Sequence, residues 1–246
     1  MHPIPYILMS YALPDPRPLW AALAVTVAFT VIGRAVRGVS RSGAIAGAAV
    51  CFLLYAGAGP AAFVALVTVF VLAWLTTRWG YQQKQKLGTA EKHDGRSASQ
   101  VLANLGVAAV CAVLFATRAR SIYLLAMTAA LSEAAADTVS SEVGQARGSV
   151  ARLITTWESV PAGANGGVSA FGTCAGIAAA AIVSSISALT APLPWKWLVY
   201  STGAAAAGML ADSYMGALLE SRGLLNNDSV NFLGTLVAAA VSFLLA

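Results

Sequence analysis

The chain has 246 residues, 58% of them hydrophobic and only 10% charged, with a mean hydropathy of +0.73; soluble domains carry about 25% charged residues. This excludes a soluble enzyme and predicts an all-α polytopic membrane protein: at roughly 20 residues per span, about eight transmembrane helices use nearly all of residues 1–246 as one integral membrane domain in the lipid bilayer. The net charge of +5 comes without a basic stripe interleaved with aromatics, so no nucleic acid partner is expected.

Met1 to Pro18 is short, aromatic and punctuated by proline, without the basic start of a signal peptide, and reads as an interfacial lead-in. Spans are then predicted at about 19–36, 42–57, 61–77, 101–117, 121–138, 167–189, 195–219 and 230–246. Polar catalytic loops fall at about 78–100, 138–167 and 220–230. Cys51, Cys111 and Cys174 stand singly in different apolar stretches and read as small hydrophobes. With only two histidines, a histidine-based zinc site is not expected. The sequence leaves a homo-oligomer open.

Placing the N-terminus outside puts 11 of the 15 Lys and Arg residues on one side of the membrane and 4 on the other. Cytoplasmic loops carry the excess of Lys and Arg, so the polar loops are expected in the cytoplasm. A faint echo links Ala136-Asp137-Thr138 to Ala211-Asp212-Ser213 and VSAFGT at Val168 to VNFLGT at Val230. It makes the last two helix pairs a candidate internal repeat, which would bring Asp137 and Asp212 to one depth on one side.

Four polar elements fall on that side. In GRSASQVLANLG (95–106), Gln100 and Asn104 lie one helical turn apart; the structural reading is a capped helix start with interhelical hydrogen bonds. In SEAAADTVSSEVG (132–144), Glu133, Asp137 and Ser140 or Ser141 share a helical face, with Glu142 just beyond. Carboxylates inside a span are costly and mark functional sites; with hydroxyls beside them they suit Mg²⁺, which takes one or two carboxylates, water and phosphate oxygens. The structural alternative is an ion pair with Arg96 or Arg152. In RLITTWESVPAGANGGVSAFGT (152–173), Gly163, Gly166 and Gly167 can turn backbone N–H groups toward an anion at the start of a helix, with Arg152, Asn165 and Ser169 as further donors; the alternative is a plain turn. The fourth element joins Asp212 and Ser213 to Asn227, Asp228 and Asn231, with Asp228-Ser229 a candidate N-cap of the last helix.

These motifs, in this order over roughly the last 150 positions, resemble the integral-membrane family that contains transmembrane protein nineteen and the phytyl-phosphate kinase of the vitamin E pathway. The resemblance implies phosphoryl transfer from a nucleoside triphosphate, CTP in the plant pathway, to an isoprenyl monophosphate such as phytyl or geranylgeranyl phosphate. Carried over residue by residue, it covers Gly95, Arg96, Gln100, Asn104, Asp137, Ser141, Glu142, Gly144, Pro161, Gly163, Gly166, Gly167, Ser169, Asp212, Ser213 and Asn231. Ala164 stands where a threonine is expected and Glu220 where a glutamine is more familiar, which bears on donor preference. On this reading Asp137, Glu142 and Asp212 hold Mg²⁺, Arg96 and Arg152 neutralise phosphate oxygens, and Gly163 to Gly167 cradle the triphosphate. Asn104 and Asn231 orient a phosphate or base, and Gln100, Ser141, Asn165, Ser169 and Ser213 complete the substrate surface. The competing class is a secondary transporter or ion-coupled carrier, which paired intramembrane acids and repeats also describe; a non-catalytic assembly protein is a third.

Overall fold

The computed structural model describes residues 19–148, 150–191 and 193–246, so the lead-in Met1 to Pro18 lies outside the described residues. In chain order the elements are α1 (Leu19–Ala35), α2 (Arg41–Ala58), α3 (Pro60–Arg78), α4 (Tyr81–Leu87), α5 (Ala98–Arg118) and α6 (Ile122–Ala146). There follow strands β1 (Ala151–Leu153), β2 (Ser159–Val160) and β3 (Gly167–Val168), then α7 (Ala170–Thr190), α8 (Lys196–Met215), a π-helical turn (Gly216–Glu220) and α9 (Asn227–Leu245).

Six of these helices, α2, α3, α5, α6, α7 and α9, are long and apolar enough to cross a membrane, against the eight spans expected. The other two, α1 and α8, differ for separate reasons. Apolar α1 is only 17 residues long, whereas α8, at 20 residues, is diluted by Lys196, Asp212 and several Ser, Thr and Gly residues. The fifth expected span also continues past residue 138 to Ala146, because Ser140 to Gln145 prolong the helix into the polar end.

The bundle is built around α6. Almost every residue from Leu125 to Val139 is buried, and α6 packs against α3, α5, α7, α8 and α9. Its Ala-Ser-rich surface lets neighbours approach closely, as small residues do between membrane helices. Gly172 and Gly176 of α7 press on the Ser140 and Ala136 carbonyls, where an added Cβ would come within 2.6 and 2.7 Å. Deeper in the core, the Ser184 hydroxyl bonds to those of Ser132 (2.9 Å) and Ser201 (2.8 Å), tying α6, α7 and α8 together.

The interhelical turns at one end carry the polar chemistry. Serine caps start α2 (Ser40), α5 (Ser97, in a capping box with Gln100) and α7 (Ser169). The cap of α9 is Asn226, which accepts from the Ser229 amide at 2.8 Å, rather than the expected Asp228-Ser229; the helix starts earlier because Asn226 supplies the acceptor. A three-stranded antiparallel sheet of order β2-β1-β3 also departs from a purely helical chain. Arg152 pairs with Ser159 and Val168, so the segment expected as a loop is folded back on itself as a small platform.

Because α4 and the sheet follow the same ends of α3 and α6, single cysteines replacing the exposed Lys86 and Glu158 in an otherwise cysteine-free protein are expected to label from the same face of sealed vesicles. Labelling from opposite faces would contradict the arrangement.

Candidate functional site

At this end of the bundle, Asp137 on α6 and Asp212 on α8 bring their carboxyl groups within hydrogen-bond reach of each other. Both helices run the same way, which sets the two acids side by side. What permits the approach is Gly234 of α9: a Cβ there would meet Glu133 Oε1 at 2.6 Å, Asp212 Cβ at 3.3 Å and Asp212 Oδ2 at 3.4 Å. Glu133, one helical turn deeper than Asp137, is 1% exposed and sits against Gly208 and Gly234. Its Oε1 and Asp212 Oδ2 are buried without a hydrogen-bond partner. Buried carboxylates without donors are costly unless paired or bound to a cation.

The nearby basic group is Arg96, close enough to Asp137 to interact with it electrostatically and 3.4 Å from Thr138 Oγ1 through Nη1. Its backbone is clamped. The Arg96 amide donates to the Gly38 carbonyl (3.2 Å) and its carbonyl accepts from the Ser40 amide (2.9 Å). A Cβ at Gly43 would collide with that carbonyl, and Gly95 takes φ +86° against the Gly38–Val39 backbone. The α1–α2 turn therefore fixes the backbone from which this guanidinium reaches Thr138.

These groups border a polar cavity of about 230 Å³ that also receives Gln100, Asn104, Ser141, Gly163, Asn165, Gly166, Gly167, Ser169, Ser213 and Asn231. Of the residues expected to bind metal or substrate, Arg152 alone is absent from its lining; Glu133, Gly95, Pro161 and Asp228, also singled out in the sequence, lie outside it. The Arg152 side chain is exposed and donates to the Trp157 carbonyl at 2.8 Å, closing the β1–β2 hairpin. Strand alternation accounts for the departure: Ala151 is buried and Arg152 turns outward.

Glu142 lines the same cavity and is already engaged by the protein. Its Oε2 accepts from Lys84 Nζ at 2.5 Å and its Oε1 from Thr77 Oγ1 at 2.8 Å. Lys84 is fully buried, and its ammonium also caps the end of α3 through the Thr76 (2.9 Å) and Thr77 (2.6 Å) carbonyls. The Glu142 charge is thus matched within the protein, and the helix turn explains why: five residues beyond Asp137 it lies about 140° around α6.

The polar roles of Gln100 and Asn104 are partly structural. Gln100 Oε1 accepts from the Ser97 amide (2.8 Å) while its Nε2 donates to Glu91 Oε2 (3.1 Å), and Asn104 Nδ2 donates to the Gln100 carbonyl (2.8 Å). Over the cavity, the amides of Ala164 and Gly167 close turns onto the Pro161 and Ala164 carbonyls. Gly166, at φ +75°, rests on Ala217 of the π-turn so closely that any Cβ would overlap it. Gly166→Val is therefore expected to undock this loop and lower the melting temperature even without ligand, beyond the 1–2 kcal/mol or so of a left-handed non-glycine residue. An unchanged melting temperature would contradict the contact.

Residues not singled out as ligands complete the wall: Glu91, whose carbonyl accepts from Tyr81 Oη (3.3 Å), and Glu220, whose carboxyl is pushed up by burial. Among the described residues, no group of three or more His, Cys, Asp and Glu side chains forms a ready-made metal site. The Asp137–Asp212 pair leaves one buried carboxylate oxygen, Asp212 Oδ2, without a hydrogen-bond partner.

A helical bundle with a half-buried acidic pair under a glycine-rich loop at one end defines an integral, multi-pass membrane protein with a polar site at one end of the bundle. The chain belongs to the integral membrane protein family DUF92, which residues 24–239 match. It is 31% identical over 229 residues to an uncharacterized membrane protein of Methanocaldococcus jannaschii, covering 92% of this chain and 94% of that one. It is 32% identical over 195 residues to an uncharacterized membrane protein of Synechocystis, covering 77% and 76%. With the chloroplastic protein VTE6 of Arabidopsis thaliana it shares 29% identity over 240 residues, covering 93% and 72%. No solved structure matches the chain.

Proposed function

We propose that this protein is a membrane-embedded isoprenyl-phosphate kinase that moves the terminal phosphoryl group of a nucleoside triphosphate, CTP by family resemblance, to an isoprenyl monophosphate at the cytoplasmic face. The observation that carries the reading is the facing Asp137–Asp212 pair, one oxygen of it buried without a partner, beside Arg96 in a polar cavity.

Phosphoryl transfer depends on positioning and charge neutralisation more than on covalent chemistry by the protein. Asp137 and Asp212 would hold Mg²⁺, which when bound supplies neutralisation of the phosphate oxygens. Arg96, fixed by its clamped backbone, neutralises and orients phosphate from the opposite wall. The acceptor's phosphate oxygen forms the new bond to the γ-phosphorus; the bond from that phosphorus to the β-bridging oxygen breaks, and its electron pair leaves with the nucleoside diphosphate. Ser213, Asn231, Ser141 and Asn165 supply polar contacts around the phosphates. Glu142, already bonded to Lys84 and Thr77, holds α4 and α3 against this wall rather than taking the cation.

Ligand binding to the native state raises stability by mass action, about 2.7 kcal/mol at a hundredfold excess over Kd. CTP with Mg²⁺ is therefore expected to raise the melting temperature of the purified protein, and Asp212→Asn to abolish that shift. If CTP, ATP, GTP and UTP all fail to shift a well-folded sample with Mg²⁺ and an isoprenyl monophosphate present, the carrier reading takes the kinase's place.

A further inference from the structure

A second, larger cavity of about 750 Å³ lies between α1, α2, α3 and α5, a volume within the roughly 300–1,000 Å³ of small-molecule sites. Its walls are apolar: Phe29 of α1, Leu66, Phe70 and Trp74 of α3 and Leu105 of α5. Phe29 meets the Phe63 and Phe70 rings edge to face, which joins α1 to α3 beside the space.

The cavity's polar rim is basic. Arg37, Arg78, Lys92 and Arg96 all border it, against Glu91 as the one acidic group in its lining among the described residues. Two of these cations are held in place: Arg78 lies 4.5 Å over the Trp74 ring and donates to the Val36 carbonyl at 2.5 Å, and Arg96 is clamped by the α1–α2 turn. An apolar chamber under a cationic rim fits one class of ligand, an amphiphile with an anionic head.

The two cavities also meet. Glu91, Arg96, Gln100 and Asn104 line both the apolar chamber and the acidic cavity, so a phosphate at Arg96 on the chamber side faces Asp137 on the other.

We propose that this chamber, formed largely by the first three helices, seats the tail of a single-chain isoprenyl phosphate, with its phosphate at Arg96, and that Gly47 sets the depth available to the tail. The identity of the acceptor rests on the kinase reading; the binding site rests on the chamber. Gly47 lines the cavity, and a Cβ there would meet no atom within 4 Å, so this position has open space beside it for a side chain to begin.

The test is thermal stabilisation of the purified protein by geranyl, farnesyl, geranylgeranyl and phytyl phosphates. Phytol and inorganic phosphate serve as the separated halves and phosphatidic acid as a two-chain anionic lipid. The parent is expected to be stabilised by the long prenyl phosphates and by neither half at equal concentration. Gly47→Phe is expected to weaken geranylgeranyl phosphate by at least about tenfold in apparent Kd, a loss of about 1.4 kcal/mol, while leaving geranyl phosphate and the CTP–Mg²⁺ shift in place; Gly47→Leu gives the same ordering should the larger ring prevent folding. Equal binding of every chain length in parent and variant overturns the proposal, as does phosphatidic acid stabilising the parent as well as geranylgeranyl phosphate. Gly47-dependent binding without phosphoryl transfer would sink the kinase and keep the chamber; transfer to all chain lengths with no effect of Gly47 would sink the chamber and keep the kinase.

Discussion

Asp137→Asn and Asp212→Asn are each expected to reduce phosphoryl transfer by at least about 100-fold, the scale on which removal of one preorganised electrostatic element slows a reaction, while the protein stays folded. Asparagine keeps the size of the side chain and removes the charge. Asp212 Oδ2 has no protein donor to lose, and the two carboxyls crowd each other and Glu133. Removing one half-buried acid from a like-charged cluster need not destabilise the fold, so the melting temperature without ligand should hold or rise. A variant that transfers phosphate at the parent rate would take that residue out of the site, and one that melts far earlier would make its carboxylate structural.

Lys84→Met is expected to behave in the opposite way, losing more stability than Gly166→Val or either aspartate variant. Lys84 is fully buried and Glu142 nearly so, at 14% side-chain exposure. Removing one partner of a buried pair costs about 3–5 kcal/mol because the other charge is left uncompensated. The Thr76 and Thr77 carbonyls at the end of α3 lose their donor as well. Melting in detergent should fall sharply and recover in part in Lys84→Met/Glu142→Gln, where neither charge remains. If the double variant is no more stable than the single one, the ion pair is not what joins α4 to α6.

Most of the site is legible in residue types because its chemistry is local. Acids four apart inside an apolar helix, a glycine-rich loop leading into a helix, and a second Ala-Asp-Ser at a span end each have a physical reason to lie at one end of the bundle. What sequence leaves hidden depends on partners far along the chain. Lys84 reads as one more solvated cation of a polar loop, and only the fold shows its partner 58 residues away. Glu142 reads as an acid of the Asp137 cluster, and only the fold shows that it lines the cavity while already paired with Lys84. Arg152 stands close to the glycines along the chain, but it lies in a short strand whose alternation points it to solvent. Gly166 suits an anion cradle, whereas the structure shows what its missing Cβ makes room for, the backbone of Ala217. The first three helices show only hydropathy in sequence; the chamber between them brings Phe29 of α1 to the same wall as Phe70 and Trp74 of α3, a juxtaposition no periodicity reports.

The most direct measurement is transfer itself. Purified protein in detergent is given Mg²⁺, γ-labelled CTP or ATP and a panel of isoprenyl monophosphates, and labelled lipid diphosphate is counted beside Asp137→Asn and Asp212→Asn controls. The account predicts labelled diphosphate from the parent that depends on Mg²⁺ and on both aspartates. A folded parent that binds these ligands but leaves every monophosphate unlabelled, with either nucleotide, would contradict it.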